Sequence, residues 1–227
     1  MEHFYYSREQ ASAAAAQRIA NALSHRLANQ KTASLVVSGG TTPAQCFAAL
    51  AHADIDWSRV GVLPSDDRWV PGEHDDSNEK LVRNTLLVNG AARADLLAFY
   101  DGKISVEERA ATFDKEIRFV PFPFACSLLG MGTDGHFASL FPDAENLDEG
   151  LDLESNTLCL PVRTAASPHP RITLTLAALS RSDEIVLLIF GAEKRTVYEK
   201  AKAGNSRYPV TRLLRQKRAP VHVYWAP

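Results

Sequence analysis

The sequence predicts an α/β protein built on an open, mainly parallel, Rossmann-like sheet with helices on both faces. Three observations carry that prediction. Nearly continuous apolar runs recur at 34–37, 59–63, 96–100, 124–129, 184–190 and 221–225. Helical patterns separate them, and such alternation is the signature of parallel strands covered on both sides. Most of the runs end in a glycine-rich or polar turn, and open sheets of this kind bind ligands beyond the carboxyl ends of their strands.

The elements follow in order. Ser7 and Gln10 form a capping-box pattern, and Ala11, Ala15, Ile19, Ala22 and Leu23 recur on one helical face, so 7–29 reads as an amphipathic helix. The run 34–37 ends at Ser38-Gly39-Gly40 and leads into a helix over 43–51, with Pro43 suited to its first position. The run 59–63 ends at Pro64-Ser65-Asp66-Asp67, and Asp76-Ser77-Asn78 reads as the cap region of a helix over 76–88. After 96–100 come Asp101-Gly102 and a helix over 105–118. The proline-rich turn at 120–123 is too short to separate domains, and the strand at 124–129 runs into Gly130. Helices over 173–181, 193–203 and 209–216 alternate with the last two strands. Residues 1–227 therefore read as a single α/β domain.

Composition narrows the function. A net charge of −2 gives no electrostatic case for nucleic acid, and Arg212, Arg215, Lys217 and Arg218 read as a solvated helix end. No apolar run approaches the ~18–20 residues that span a bilayer. The cysteines at 46, 126 and 159 are odd in number and form no Cys-x-x-Cys pair, which fits buried thiols in a reducing cytoplasm. The expected partner is a small molecule, and the expected state is a monomer or weak homo-oligomer.

Ser38-Gly39-Gly40-Thr41-Thr42-Pro43 lies between a strand and a helix. Exposed amides, two hydroxyls and a helix start make it a candidate anion site, although the Gly-Lys-Ser/Thr ending of a Walker loop is missing. Asp66-Asp67-Arg68 follows the next strand; Arg68 is a candidate for gripping a phosphate or a developing oxyanion. Glu73-His74-Asp75-Asp76 carries metal-ligand residue types but lies in a turn-rich segment without a helical His pair, and reads as a solvated loop. No metal is expected.

Gly130-Met131-Gly132-Thr133-Asp134-Gly135-His136 spells G-x-G-x-x-G, yet a dinucleotide site requires a long helix and a second strand tipped by an acid. Pro142 limits any helix here to about two turns, and 143–152 is acidic and loop-like. A dinucleotide is thereby disfavoured, and His136 on a glycine crest becomes a candidate general base. Arg171, before a helix expected to be capped by a threonine, and Lys194, after the most hydrophobic strand, add cations at the same rim of the sheet. With Arg68 they are what a phosphorylated substrate requires.

Together these motifs resemble the 6-phosphogluconolactonases, in a larger group that includes glucosamine-6-phosphate deaminases. The resemblance rests on Ser-Gly-Gly-Thr-Thr-Pro at 38–43, Asp-Asp-Arg-Trp-Val-Pro at 66–71 with Ser77-Asn78, the stretch 130–142, Arg-Ile-Thr-Leu-Thr at 171–175 and Gly-x-x-Lys at 191–194. It implies the NagB/RpiA/CoA transferase-like fold and hydrolysis of 6-phospho-D-glucono-1,5-lactone without a cofactor. Lactonases continue Ala-Ser-Leu-Phe-Pro, as at 138–142, where deaminases continue towards Phe-Asn-Glu-Pro with an added acid. Asp67 stands where this family usually has Glu, and Asp143 where Gly often follows the proline.

The resemblance further implies roles. His136 acts as base and then acid, oriented by Asp66 or Asp134. Arg68 serves the oxyanion or the phosphate. Lys194, Arg171 and the loop Ser38, Gly39, Gly40, Thr41 and Thr42 hold the phosphate. The rival readings are a glucosamine-6-phosphate deaminase or related aldose-phosphate isomerase, a non-catalytic sugar-phosphate sensor, and a nicotinamide oxidoreductase.

Overall fold

The apolar runs divide by parity, as strands buried on both faces must. Leu35, Val37, Val62, Leu128, Val186 and Leu188 enter one hydrophobic core, while Val36, Leu63, Leu129, Ile185, Leu187 and Ile189 enter another. The computed structural model describes residues 1–227. In chain order its elements are β1 (Glu2–Phe4), α1 (Arg8–Asn29), β2 (Ala33–Val37), α2 (Ala44–Leu50), β3 (Val60–Pro64), β4 (Asp66–Arg68), α3 (Asn78–Thr85), β5 (Asp95–Leu96) and α4 (Val106–Glu116). They continue with β6 (Cys126–Leu129), α5 (Leu147–Leu151), β7 (Cys159–Val162), β8 (Arg171–Leu174), α6 (Leu176–Leu179), β9 (Ile185–Phe190), α7 (Ala192–Lys202), α8 (Val210–Arg215) and β10 (Val221–Ala226).

Seven strands form one sheet in the order β1-β10-β9-β6-β2-β3-β5, and every pairing is parallel. Helices α1, α2 and α3 cover one face; α4, α6, α7 and α8 share the core on the other. The chain leaves β2 towards β3 on one side, while β6 pairs with β2 on the other. That reversal opens a crevice beyond the carboxyl ends of β2 and β6, which is where open sheets bind ligands. Ser38-Gly39-Gly40 follows β2 and Gly130-Met131-Gly132 follows β6.

The first helix forms as the sequence predicts: Ser7 Oγ accepts the amide of Gln10 at 3.2 Å, and Ala11, Ala15, Ile19 and Leu23 are buried. In α4 the capping box is complete, with Ser105 and Glu108 exchanging hydrogen bonds. All three cysteines are free and buried, and burial pushes the Cys46 thiol up to about 12. No helix is long and apolar enough to cross a membrane.

A second sheet has no counterpart in the sequence pattern. Strands β4, β8 and β7 pair antiparallel, with Arg68 opposite Arg171 and Asp66 opposite Thr173. The expected helix over 173–181 is therefore corrected: Arg171–Leu174 is strand, and only Leu176–Leu179 is helical, with Thr175 as the expected threonine cap. Ile172 and Thr173 are β-branched and buried in this strand. The expected strand over 96–100 shortens to Asp95–Leu96 at the sheet edge, and no helix follows Gly135.

Phe47, fully buried, fixes α2 and with it the loop 38–43 against the sheet. Phe47→Ala is expected to cost about 3–5 kcal/mol of stability in urea unfolding. A loss under about 1 kcal/mol would contradict this packing role.

Candidate active site

A cleft of about 250 Å³ opens at the crevice between β2 and β6. Ten of the eleven residues expected at the site line it: Ser38, Gly39, Gly40, Thr41, Thr42, Asp66, Arg68, His136, Arg171 and Lys194. The eleventh, Asp134, stands directly behind His136. A larger groove, of about 810 Å³, lies at the amino ends of β6 and β9. Its arginines are already neutralised, Arg18 by Glu184 and Arg26 by Asp183, so it presents no comparable demand for a charged ligand.

His136 Nδ1 lies 2.6 Å from Asp134 Oδ1, and the same oxygen accepts the His136 amide at 3.1 Å. A carboxylate at Nδ1 selects the tautomer with its proton there, which leaves the Nε2 lone pair available. Burial works to raise the Asp134 carboxyl. The hydrogen bonds from His136 and the attraction of its ring overcome that and hold the group below the ordinary carboxylate range. The sequence leaves Asp66 and Asp134 both open as the partner of His136. The partner is Asp134, and the orienting role considered for Asp66 is corrected. Gly132 permits this pairing, because a Cβ there would overlap His136 Nδ1 and Asp134 Oδ1.

Asp66 instead serves a buried junction. Its Oδ2 receives Arg171 Nη2 at 3.2 Å and the Ser139 hydroxyl, while Oδ1 accepts Ser65 Oγ at 2.8 Å. Arg171 Nε donates to Ser139 Oγ at 2.6 Å, and the Ser139 amide donates to Thr173 Oγ1 at 3.1 Å. Burial lowers the Arg171 guanidinium from its ordinary value and Asp66 offsets part of this; the group stays charged at neutral pH. Phe141 packs against both the imidazole and the guanidinium: its ring centroid is 4.1 Å from that of His136 and 5.2 Å from the Arg171 guanidinium carbon.

Arg68 and Lys194 differ from Arg171 in forming no ion pair. Arg68 donates Nη1 to Asn78 Oδ1 at 2.7 Å, and Asn78 Nδ2 donates to the Asp66 carbonyl at 2.7 Å. Lys194 is half-buried; desolvation, and then repulsion from Arg8, lower its pKa. The amides of Gly39, Gly40, Thr41 and Thr42 are engaged by no acceptor in the protein. The cleft thus gathers two unpaired cations and four free amides beside a carboxylate-backed imidazole.

Sequence reading gives Asn78 no site role, only a place in a helix start and in the motif set that carries the resemblance, yet it is buried, lines the cleft and aims Arg68. Its position follows from Asp67, whose Oδ1 accepts the Asn78 and Arg68 amides at 2.7 Å and whose Oδ2 accepts Glu79 N–H at 2.9 Å. Asp67 therefore secures the start of α3 and sits behind the cleft wall. Gly39 makes room for Asn78, since a Cβ at 39 would overlap its amide.

Residues 6–225 match the family described as glucosamine-6-phosphate isomerases/6-phosphogluconolactonase. A 6-phosphogluconolactonase of Mesorhizobium japonicum is 43% identical over 97% of this chain and 92% of its own length. One from Pseudomonas aeruginosa is 41% identical, covering 96% and 91%. The crystal structure of a 6-phosphogluconolactonase from Shewanella baltica superimposes with a TM-score of 0.95 at 34% identity, covering 100% of this chain and 97% of that one.

The chain belongs to this family. A structure of a monomeric glucosamine-6-phosphate deaminase matches with a TM-score of 0.78 at 16% identity, which shows a shared fold. The Ser139-Leu140-Phe141-Pro142 segment holds the site together here, because Ser139 joins the Asp66–Arg171 junction and Phe141 supports the imidazole.

Breaking a buried ion pair from one side leaves the other charge uncompensated. Asp66→Ala is expected to cost about 3–5 kcal/mol in chemical unfolding, and Asp66→Leu with Arg171→Met to recover a large part of it. If the double variant is as unstable as the single one, the cost does not come from the stranded charge. Gly132→Ala is expected to fold but to lose the His136–Asp134 contact, read from the ring proton signals of His136 by NMR.

Proposed function

We propose that this chain hydrolyses 6-phospho-D-glucono-1,5-lactone to 6-phospho-D-gluconate in the oxidative pentose phosphate pathway. The observation that carries the reading is the joint presence, in one cleft, of the His136–Asp134 pair and of Arg68 and Lys194 without ion-pair partners. An imidazole backed by a carboxylate is suited to moving a proton, and free cations beside free amides are suited to a phosphate. The names borne by relatives at 43% and 41% identity support the same substrate.

A δ-lactone carbonyl is already electrophilic. Its opening needs an activated water, a donor for the oxyanion and a proton for the departing ring oxygen, and no metal. His136 Nε2 removes a proton from water as the oxygen attacks C1, and Asp134 stabilises the imidazolium that results. The carbonyl oxygen becomes an oxyanion, which Arg68, aimed by Asn78, stabilises. Collapse of the tetrahedral intermediate breaks the bond from C1 to the ring oxygen, and His136 returns the proton to that oxygen. The loop 38–42 and Lys194 hold the 6-phosphate, whose binding energy places C1 against the imidazole. Arg171, neutralised by Asp66, shapes the wall between them.

The test generates the lactone freshly with glucose-6-phosphate dehydrogenase and compares its opening with the spontaneous rate. Strong acceleration by the wild type is expected, with no release of ammonia from glucosamine-6-phosphate. His136→Ala should lower kcat by about 10²–10⁴-fold with an unchanged circular dichroism spectrum. Lys194→Ala should raise KM by roughly 10-fold or more, the equivalent of one charge-assisted hydrogen bond. Wild-type turnover in the His136 variant would rule out the assigned base.

A further inference from the structure

The loop 69–77 brings His74 and Asp76 to the rim of the small sheet, and a residue far along the chain meets them there. Strands β4 and β8 lie in register at Arg68 and Arg171, and the Trp69 amide donates to the Pro170 carbonyl at 2.8 Å. That pairing sets His169 beside the loop. His169 Nε2 lies 3.3 Å from Asp76 Oδ2, and His74 Nδ1 lies 3.8 Å from the same oxygen. One ligand atom from each of the three residues falls within 4.8 Å of the others. The two rings meet edge to face, with centroids 5.5 Å apart. Asp75 takes no part, because it is turned to Lys80 Nζ at 2.6 Å.

We propose that His74, Asp76 and His169 form a zinc site, outside the catalytic cleft, that clasps the loop before α3 to the loop before β8. Zinc binds imidazole nitrogen and carboxylate oxygen at about 2.0–2.2 Å in tetrahedral geometry, which places neighbouring ligand atoms about 3.4 Å apart. The His169–Asp76 separation already meets that spacing, and the His74–Asp76 separation reaches it by a small ring rotation. That rotation exchanges the hydrogen bond from the Asp76 amide to His74 Nδ1, 3.1 Å long, for a metal bond. Two imidazoles with one carboxylate suit zinc, whereas magnesium and calcium favour all-oxygen sets. Three protein ligands leave the fourth position to water. The role is structural: the clasp joins the segments that end in Arg68 and Asn78 on one side and Arg171 on the other. The proposal stands independently of the substrate, because none of the three residues lines the cleft.

The experiment titrates chelator-treated full-length protein with Zn²⁺ by calorimetry, in wild type and in His74→Ala, Asp76→Asn, His169→Ala and His136→Ala. One Zn²⁺ per wild-type chain is expected. Each of the first three variants should bind more weakly by at least the ~10-fold lost when a merely supporting group is removed. His136→Ala should bind as the wild type does, which separates this site from the imidazole of the cleft. Saturating Zn²⁺ should raise the wild-type Tm by about 5 °C and leave that of His169→Ala unchanged. Co²⁺ in its place should give the visible absorption of a tetrahedral centre. Circular dichroism of the metal-free variants checks that each is folded, and the exposed positions of His74 and Asp76 make this expected. Absence of stoichiometric binding to the wild type overturns the proposal. So does wild-type affinity in His169→Ala, or loss of binding in His136→Ala.

Discussion

Asp66 and Arg171 are both almost wholly buried, and neither charge would be tolerated there alone. Their contact is made through two elements that the main sheet does not contain, β4 and β8, and it is completed by Ser139 from the loop after β6. One junction thereby ties the small sheet to the segment that carries His136. The Ser139 amide on Thr173 adds a second tie between the same two parts. Phe141, two residues on, packs against both the imidazole and the guanidinium. The position of the imidazole thus depends on a charge pair that does not touch it.

The same junction explains how the cations divide their work. Arg171 spends its charge on Asp66, whereas Arg68 has a neutral amide as its partner and Lys194 has no ion pair. A cleft with paired and unpaired cations side by side has a built-in polarity. The neutralised side is wall, and the unpaired side is open to an anion. The main sheet decides where this arrangement sits, because only the reversal between β2 and β6 leaves two strand ends with a gap between them.

Much of this is legible along the chain. The parallel sheet follows from apolar runs alternating with helices, and ten of the eleven expected residues line one cleft. Where sequence pattern misleads, long-range pairing is the cause. Arg171-Ile172-Thr173-Leu174 precedes a helix and is too short to carry its own periodicity, so its strand character emerges only once β4 and β7 flank it. Asp67 and Asn78 look like two unrelated features; a helix cap joins them across eleven positions. The signal that could have exposed Asn78 is its place directly after the capping serine, at the same sheet rim as Arg68.

Read in a line, the residues specify the sheet, the site's address and the chemical types gathered there. Apolar periodicity, turn glycines and helix caps act over a few residues, so neighbours in sequence suffice to reveal them. Folding in three dimensions settles the remainder: which carboxylate backs His136, which arginine is neutralised and that His169 lies beside His74 and Asp76. Those outcomes turn on distances of a few ångströms between residues up to 105 positions apart. The His136–Asp134 contact is made within one loop, whereas the docking of the small sheet onto the large one sets the long-range distances, and no local pattern encodes those.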